Sequence, residues 1–109
     1  IIASVGEQHM SVGETYNGMA NVYRNQGDYP NALEYYQKAL DIYIASVGEQ
    51  HMSVGQTYNN MAKAFEKHNR LSEARDFYQK AMDTFGHTHG DKYTAWFEEQ
   101  IARVTGQCQ

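Results

Sequence analysis

The side chains of this chain that could move protons or hold a metal are five histidines, thirteen carboxylates and one cysteine. His87 and His89 stand two residues apart, but a zinc site takes three or four ligands and no cysteine lies near them. His9 and His51 fall 42 residues apart in stretches that read as loops, where local capping or packing accounts for them. Glu34 and Asp76 occupy equivalent places and read as solvated helix-face charges rather than an acid–base pair. Cys108 has no second cysteine to pair with and fits a reducing, cytoplasmic compartment. No glycine-rich phosphate loop or nucleophile elbow is present. The expectation is a protein with no catalytic residue, no metal and no cofactor.

The bulk numbers narrow the remaining classes. A net charge of −4, with nine Lys and Arg scattered among thirteen Asp and Glu, gives no basic cluster to displace counterions from phosphates, so nucleic acid is not an expected partner. No apolar run approaches the roughly 20 residues that would span a bilayer, so no membrane insertion is expected. Hydrophobic residues at 41% and charged residues at 20% exclude a disordered tail. In 109 residues there is room for one small domain.

The elements come from a repeat. Residues 2–13 and 44–55 both read IASVGEQHMSVG, and 23 of the 42 positions in 2–43 recur in 44–85. Within each unit two stripes share one spacing. Val12, Tyr16, Met19, Ala20 and Tyr23 lie at i, i+4, i+7, i+8 and i+11, as do Ala32, Tyr36, Ala39, Leu40 and Tyr43. The second unit repeats them with Val54, Tyr58, Met61, Ala62, Phe65 and with Ala74, Tyr78, Ala81, Met82, Phe85. That spacing lines one face of a 3.6-residue helix. Ser11, Ser53 and Asp91 read as N-caps. Gly27 and Asn69 read as left-handed stops, with Pro30 placed where its missing N–H is harmless. Helices are predicted near 11–26, 30–46, 53–68, 71–86 and 92–105, an all-α chain.

The sequence Tyr16, Met19, Ala20, Tyr23, then Gly27-Asp28-Tyr29, Ala32, Tyr36 and Ala39 resembles the tetratricopeptide repeat (TPR), and Tyr58, Met61, Ala62, Phe65, Leu71, Ala74, Tyr78 and Ala81 match it again. The 42-residue length, with Thr15-Tyr16-Asn17-Gly18-Met19-Ala20 and Thr57-Tyr58-Asn59-Asn60-Met61-Ala62, is similar to the kinesin light chain form, although Met10 and Met52 stand where that form has proline. The resemblance implies a right-handed α-solenoid of antiparallel helix pairs, with a protein or peptide partner held in a groove lined by the first helix of each unit. It places Glu14, Asn17, Asn21, Arg24, Gln56, Asn59, Asn60, Lys63 and Lys67 toward that groove. Some repeats of the family clamp a terminal carboxylate with Lys, Asn and Arg. Here Asn17 stands where the first clamp lysine would be, Asn21 and Asn60 match the clamp asparagines, and the third unit has no matching basic pair because Arg103 falls one position away, so a full clamp is not expected.

The expected organisation is a single repeat domain over 1–109, part of a longer array, with units at 2–43 and 44–85 and a capping helix at 91–107. Without a gap, Tyr58 aligns with Gln100 and Met61 with Arg103, polar residues on what reads as an outward face. Tyr93, Trp96, Phe97, Ile101 and Val104 keep an apolar stripe toward the preceding unit. Ile1-Ile2 corresponds to Tyr43-Ile44, so the face of 11–26 bearing Tyr16 and Met19 is expected to lack its cover. The leading reading is a peptide-binding scaffold of the cargo-adaptor kind. The alternative is a self-assembly module that forms homo-oligomers through that uncovered face.

Overall fold

The computed structural model describes residues 5–108, and the side chains of 10–106. Five helices follow one another: α1 (Val5–Asn25), α2 (Tyr29–Val47), α3 (Met52–Lys67), α4 (Leu71–His89) and α5 (Thr94–Cys108). Each helix packs on the next, and α1 also touches α3, so α1–α2 and α3–α4 are two stacked helix pairs with α5 laid against α4. The alanines of the stripes are fully buried, Ala20, Ala32 and Ala39 in the first unit and Ala62, Ala74 and Ala81 in the second. Tyr36 and Tyr78 fill the space between them. Small residues opposite large ones let the helices approach and interlock. Ile1, Ile2 and the side chain of His9 lie outside the described residues.

The turns are read correctly in part. Gly27 (φ 84°) and Asn69 (φ 62°) take the left-handed conformation, and Asp28 caps α2 by accepting from the Asn31 amide at 3.3 Å, with Pro30 in the first turn. The serine caps are not observed. α1 begins at Val5, so Ser11 sits inside it and its carbonyl accepts from the Thr15 hydroxyl. At α3 the cap is His51, whose Nδ1 accepts from the Ser53 amide at 3.0 Å. Imidazole reaches the same free N–H groups that a serine hydroxyl would. Asp91 is not a side-chain cap either: α5 starts at Thr94, whose N–H meets the Asp91 carbonyl at 3.2 Å.

The third unit slips by one residue against the ungapped alignment. Phe97 and Val104 are buried as Val54 and Met61 are, and these pairs lie 43 apart, not 42. The same offset puts Arg103 at Asn60's place, and both make the bridge to the preceding first helix, Asn60 with Arg24 and Arg103 with Glu66. One residue turns a helix by about 100°. Gly90 (φ 61°) still matches Gly48 (φ 87°) at 42, so the slip arises between Gly90 and α5. Gln100 and Arg103 therefore face α3 rather than an outer surface. Phe97, Ile101 and Val104 pack on the core, with Phe85 touching Tyr93 and Phe97, while Tyr93 and Trp96 remain partly open.

Two glycines set how closely the pairs approach. A β-carbon at Gly13 would lie 2.9 Å from Tyr43 Cε1, and one at Gly55 would lie 3.1 Å from Thr84 Cγ2 and 3.2 Å from Phe85 Cε2. In each unit the first helix meets its partner at a point with no room for a side chain.

Candidate functional site

The first helices α1, α3 and α5 line a cavity of about 610 Å³. Arg24 enters it from α1, Lys63, Glu66 and Lys67 from α3, and Trp96, Gln100 and Arg103 from α5, with Tyr29 and Tyr78 behind them. Helical spacing explains the set: 63 and 67 are one turn apart on one face of α3, and Arg24 extends from α1 toward α3. Four cations thus surround one carboxylate in a protein whose net charge is −4.

That carboxylate is engaged. Glu66 accepts two hydrogen bonds from the Arg103 guanidinium, the Nη2 bond measuring 3.0 Å, and one from the Tyr78 hydroxyl at 2.9 Å. Arg103 Nη2 also donates to Gln100 Oε1 at 2.7 Å. The Arg103 bond holds the Glu66 carboxyl below the usual glutamate range. Burial, followed by the bond to Glu66, pushes the Tyr78 phenol up to about 12. On the other side of the groove Arg24 Nη1 reaches Asn60 Oδ1 at 3.4 Å, and Tyr36 donates its hydroxyl to Asn21 Oδ1. Arg24 and Glu66 occupy the same repeat position with opposite charge.

Of the groove residues expected from the sequence, the cavity brings together Arg24, Lys63 and Lys67. Asn21 and Asn60 serve as acceptors for Tyr36 and Arg24. Gln56 and Asn59 line a second hollow of about 400 Å³ with Met52, Phe85, Tyr93, Trp96 and Phe97. Trp96 forms the wall shared by the two. Asn17 and Asn59 are half-buried, and the Oδ1 of each has no hydrogen-bond partner among the described residues. A buried carbonyl oxygen of that kind calls for a donor. Glu66, Gln100, Arg103 and Trp96 were missed as groove residues. The charge change from Arg24 to Glu66 at one repeat position was the available signal for the first, and the slipped register concealed the other three. The slip also brings Arg103 level with Asn60, but Glu66 already occupies its guanidinium.

Residues 11–85 match the profile of the tetratricopeptide repeat. The chain belongs to the tetratricopeptide repeat family. Repeats of this family generally mediate protein–protein interaction, which points to protein as the partner class, and the family is one of interaction modules rather than enzymes. Compared with curated protein sequences, the chain finds no match. Among the described residues no helix is long and apolar enough to cross a membrane, and no three His, Cys, Asp or Glu side chains converge on one point. The tetratricopeptide match ends at Phe85, before the residues whose spacing departs from 42.

Proposed function

We propose that this chain is a scaffold that binds an extended, acidic peptide segment of a partner protein along the groove formed by α1, α3 and α5. The observation that carries the reading is the grouping of Arg24, Lys63, Lys67 and Arg103 around a single carboxylate in a net-acidic protein. Such a patch attracts and orients a segment of opposite charge. The amides of Asn17 and Asn59 add donors and acceptors suited to peptide backbone, and the Trp96 hollow offers a place for one apolar side chain. Within this reading we assign the scaffold a cytoplasmic cargo-adaptor role, a reading that draws on the likeness of the 42-residue repeat to the kinesin light chain form. With Phe97 in the place of Val54, Glu98 stands where Gly13 and Gly55 stand and Thr105 where Ala62 stands. A following helix would meet a glutamate where the earlier units leave no room for a β-carbon, which supports α5 as a capping helix. The self-assembly alternative draws on the exposed apolar face of α1.

The test is fluorescence anisotropy with three labelled decapeptides, one rich in Asp and Glu, one neutral and one rich in Lys. The acidic peptide should bind most tightly and weaken as salt rises. Lys63→Glu with Lys67→Glu, both on exposed side chains, should lower its affinity at least about tenfold, given roughly 1 kcal/mol or more from each reversed charge. Equal binding of the three peptides, or no effect of the double reversal, overturns the reading.

A further inference from the structure

Four of the nine Lys and Arg residues line the cavity of about 610 Å³, against one of the thirteen carboxylates. That carboxylate, Glu66, is already bridged to Arg103. The other ion pairs among the described residues join Arg70 to Glu73 and Arg75 to Asp76, none of which lines the cavity. Arg24, Lys63 and Lys67 therefore face it with no carboxylate partner among the described residues.

The three charges are held close together. Asn60, Lys63 and Lys67 stand at i, i+3 and i+7, on one face of α3. Arg24 Nη1 meets that face at Asn60 Oδ1, 3.4 Å away, and its other N–H groups have no acceptor among the described residues. Lys63 and Lys67 are like charges one turn apart, an arrangement that costs helix stability. In the first unit the same positions are the neutral Asn21 and Asn25, so the repeat packs without these charges. Asn25 and Gln100 also line the cavity and bring amide donors to it.

We propose that this corner of the groove receives a phosphorylated serine or threonine of the partner peptide. The inference rests on the peptide-binding reading and names the ligand group at its centre. An extended peptide turns alternate side chains to one wall, about 6–7 Å apart, so carboxylates enter so compact a cluster one at a time. Each brings one charge and two oxygens. A phosphomonoester brings nearly two charges and three strong acceptor oxygens to one point. The donors suit it, since Arg24 offers a guanidinium fork and the two lysines offer ammonium point charges. A flat bilayer cannot reach into a cavity between helices, and one isolated cluster cannot follow the closely spaced phosphates of a nucleic acid.

Three labelled decapeptides with the same acidic flanks carry phosphoserine, aspartate or serine at one central position, and fluorescence anisotropy follows each on the full chain. The phosphoserine peptide should bind at least about tenfold more tightly than the aspartate peptide, the gain expected from added charge-assisted hydrogen bonds. Lys63→Gln with Lys67→Gln should erase most of that margin, and Arg24→Gln alone should narrow it. Both lysines are exposed, and circular dichroism checks that each variant keeps its helices. Equal affinity for the phosphoserine and aspartate peptides overturns the inference and leaves the acidic-peptide reading standing. A margin unchanged by the lysine substitutions also overturns it, because the phosphate is then held elsewhere. Inorganic phosphate should displace the phosphopeptide only at concentrations far above the peptide's own Kd. Displacement at equal concentration would make free phosphate the ligand and overturn the peptide assignment. Failure of all three peptides to bind overturns the groove reading itself, and the phosphate site with it.

Discussion

Met61 and Met19 form a natural comparison, because the duplication places one side chain in two states of burial. Met61 is 3% exposed beneath α2, whereas Met19 is 38% exposed on an open face. Truncating a buried methionine to alanine costs about 2–5 kcal/mol, the sum of lost transfer energy and the cavity left behind. The half-open site leaves no closed cavity and should cost less than about 1 kcal/mol. The change in helix propensity is the same at both sites and cancels in the comparison. For a domain of this size 1 kcal/mol moves the midpoint by about 4 °C. Met61→Ala should therefore lower the melting temperature by roughly 8–20 °C, and Met19→Ala by no more than about 4 °C. Thermal unfolding followed by circular dichroism at low protein concentration measures both. Equal losses would mean that α2 does not seal α3 as described, or that something covers α1 in solution, and the packing argument would fail.

Three further outcomes follow from the same geometry. Gly18→Ala, with open space around the added carbon, should raise stability by about 0.5–1 kcal/mol through helix propensity. Gly55→Ala should lower it by about 1–2 kcal/mol, because Thr84 is buried with its hydroxyl tied to the Lys80 carbonyl and Phe85 is wedged against Phe97; urea unfolding of the two variants decides the signs. The Glu66 carboxyl titrates below its unfolded value, so the Arg103–Glu66 bridge contributes fully above about pH 4.3 and loses its contribution as pH falls through the depressed value. The melting gap between the parent and Glu66→Gln should close over that acid range, and a gap that widens on acidification would contradict the assignment.

The helix pairs were legible because their apolar stripes have a strict period and because Gly27 and Asn69 can turn the chain where few residues can. Cap identity was not. The same sequence, Val-Gly-Glu-Gln-His-Met-Ser, lies within α1 at 5–11 but at 47–53 runs from the end of α2 through a turn into α3. Packing α3 back on α2 imposes that turn, and His51 then lies where it can cap. Local sequence cannot report such a tertiary choice. The α5 register failed for a related reason: a 42-residue period holds through Gly90, and only the burial of Phe97 and Val104 shows which face meets α4. Lys63 and Lys67 were put toward the groove by the resemblance to the repeat family. Glu66 could not be placed there, since its role depends on Arg103 arriving from a helix one residue out of phase.

The exchange of charge between Arg24 and Glu66 has a consequence for how a bound segment would be read. Two duplicated units would offer an extended ligand two related seats, one repeat apart, and with them an ambiguity of register. A cation at one seat and a bridged carboxylate at the other remove the equivalence. A ligand carboxylate would meet a guanidinium at Arg24 and, one repeat on, a carboxylate already bridged to Arg103, with Lys63 and Lys67 standing where Asn21 and Asn25 do. On the proposed reading, the duplicated surface would thus present two distinguishable addresses, set by charge differences at three repeat positions, 21/63, 24/66 and 25/67.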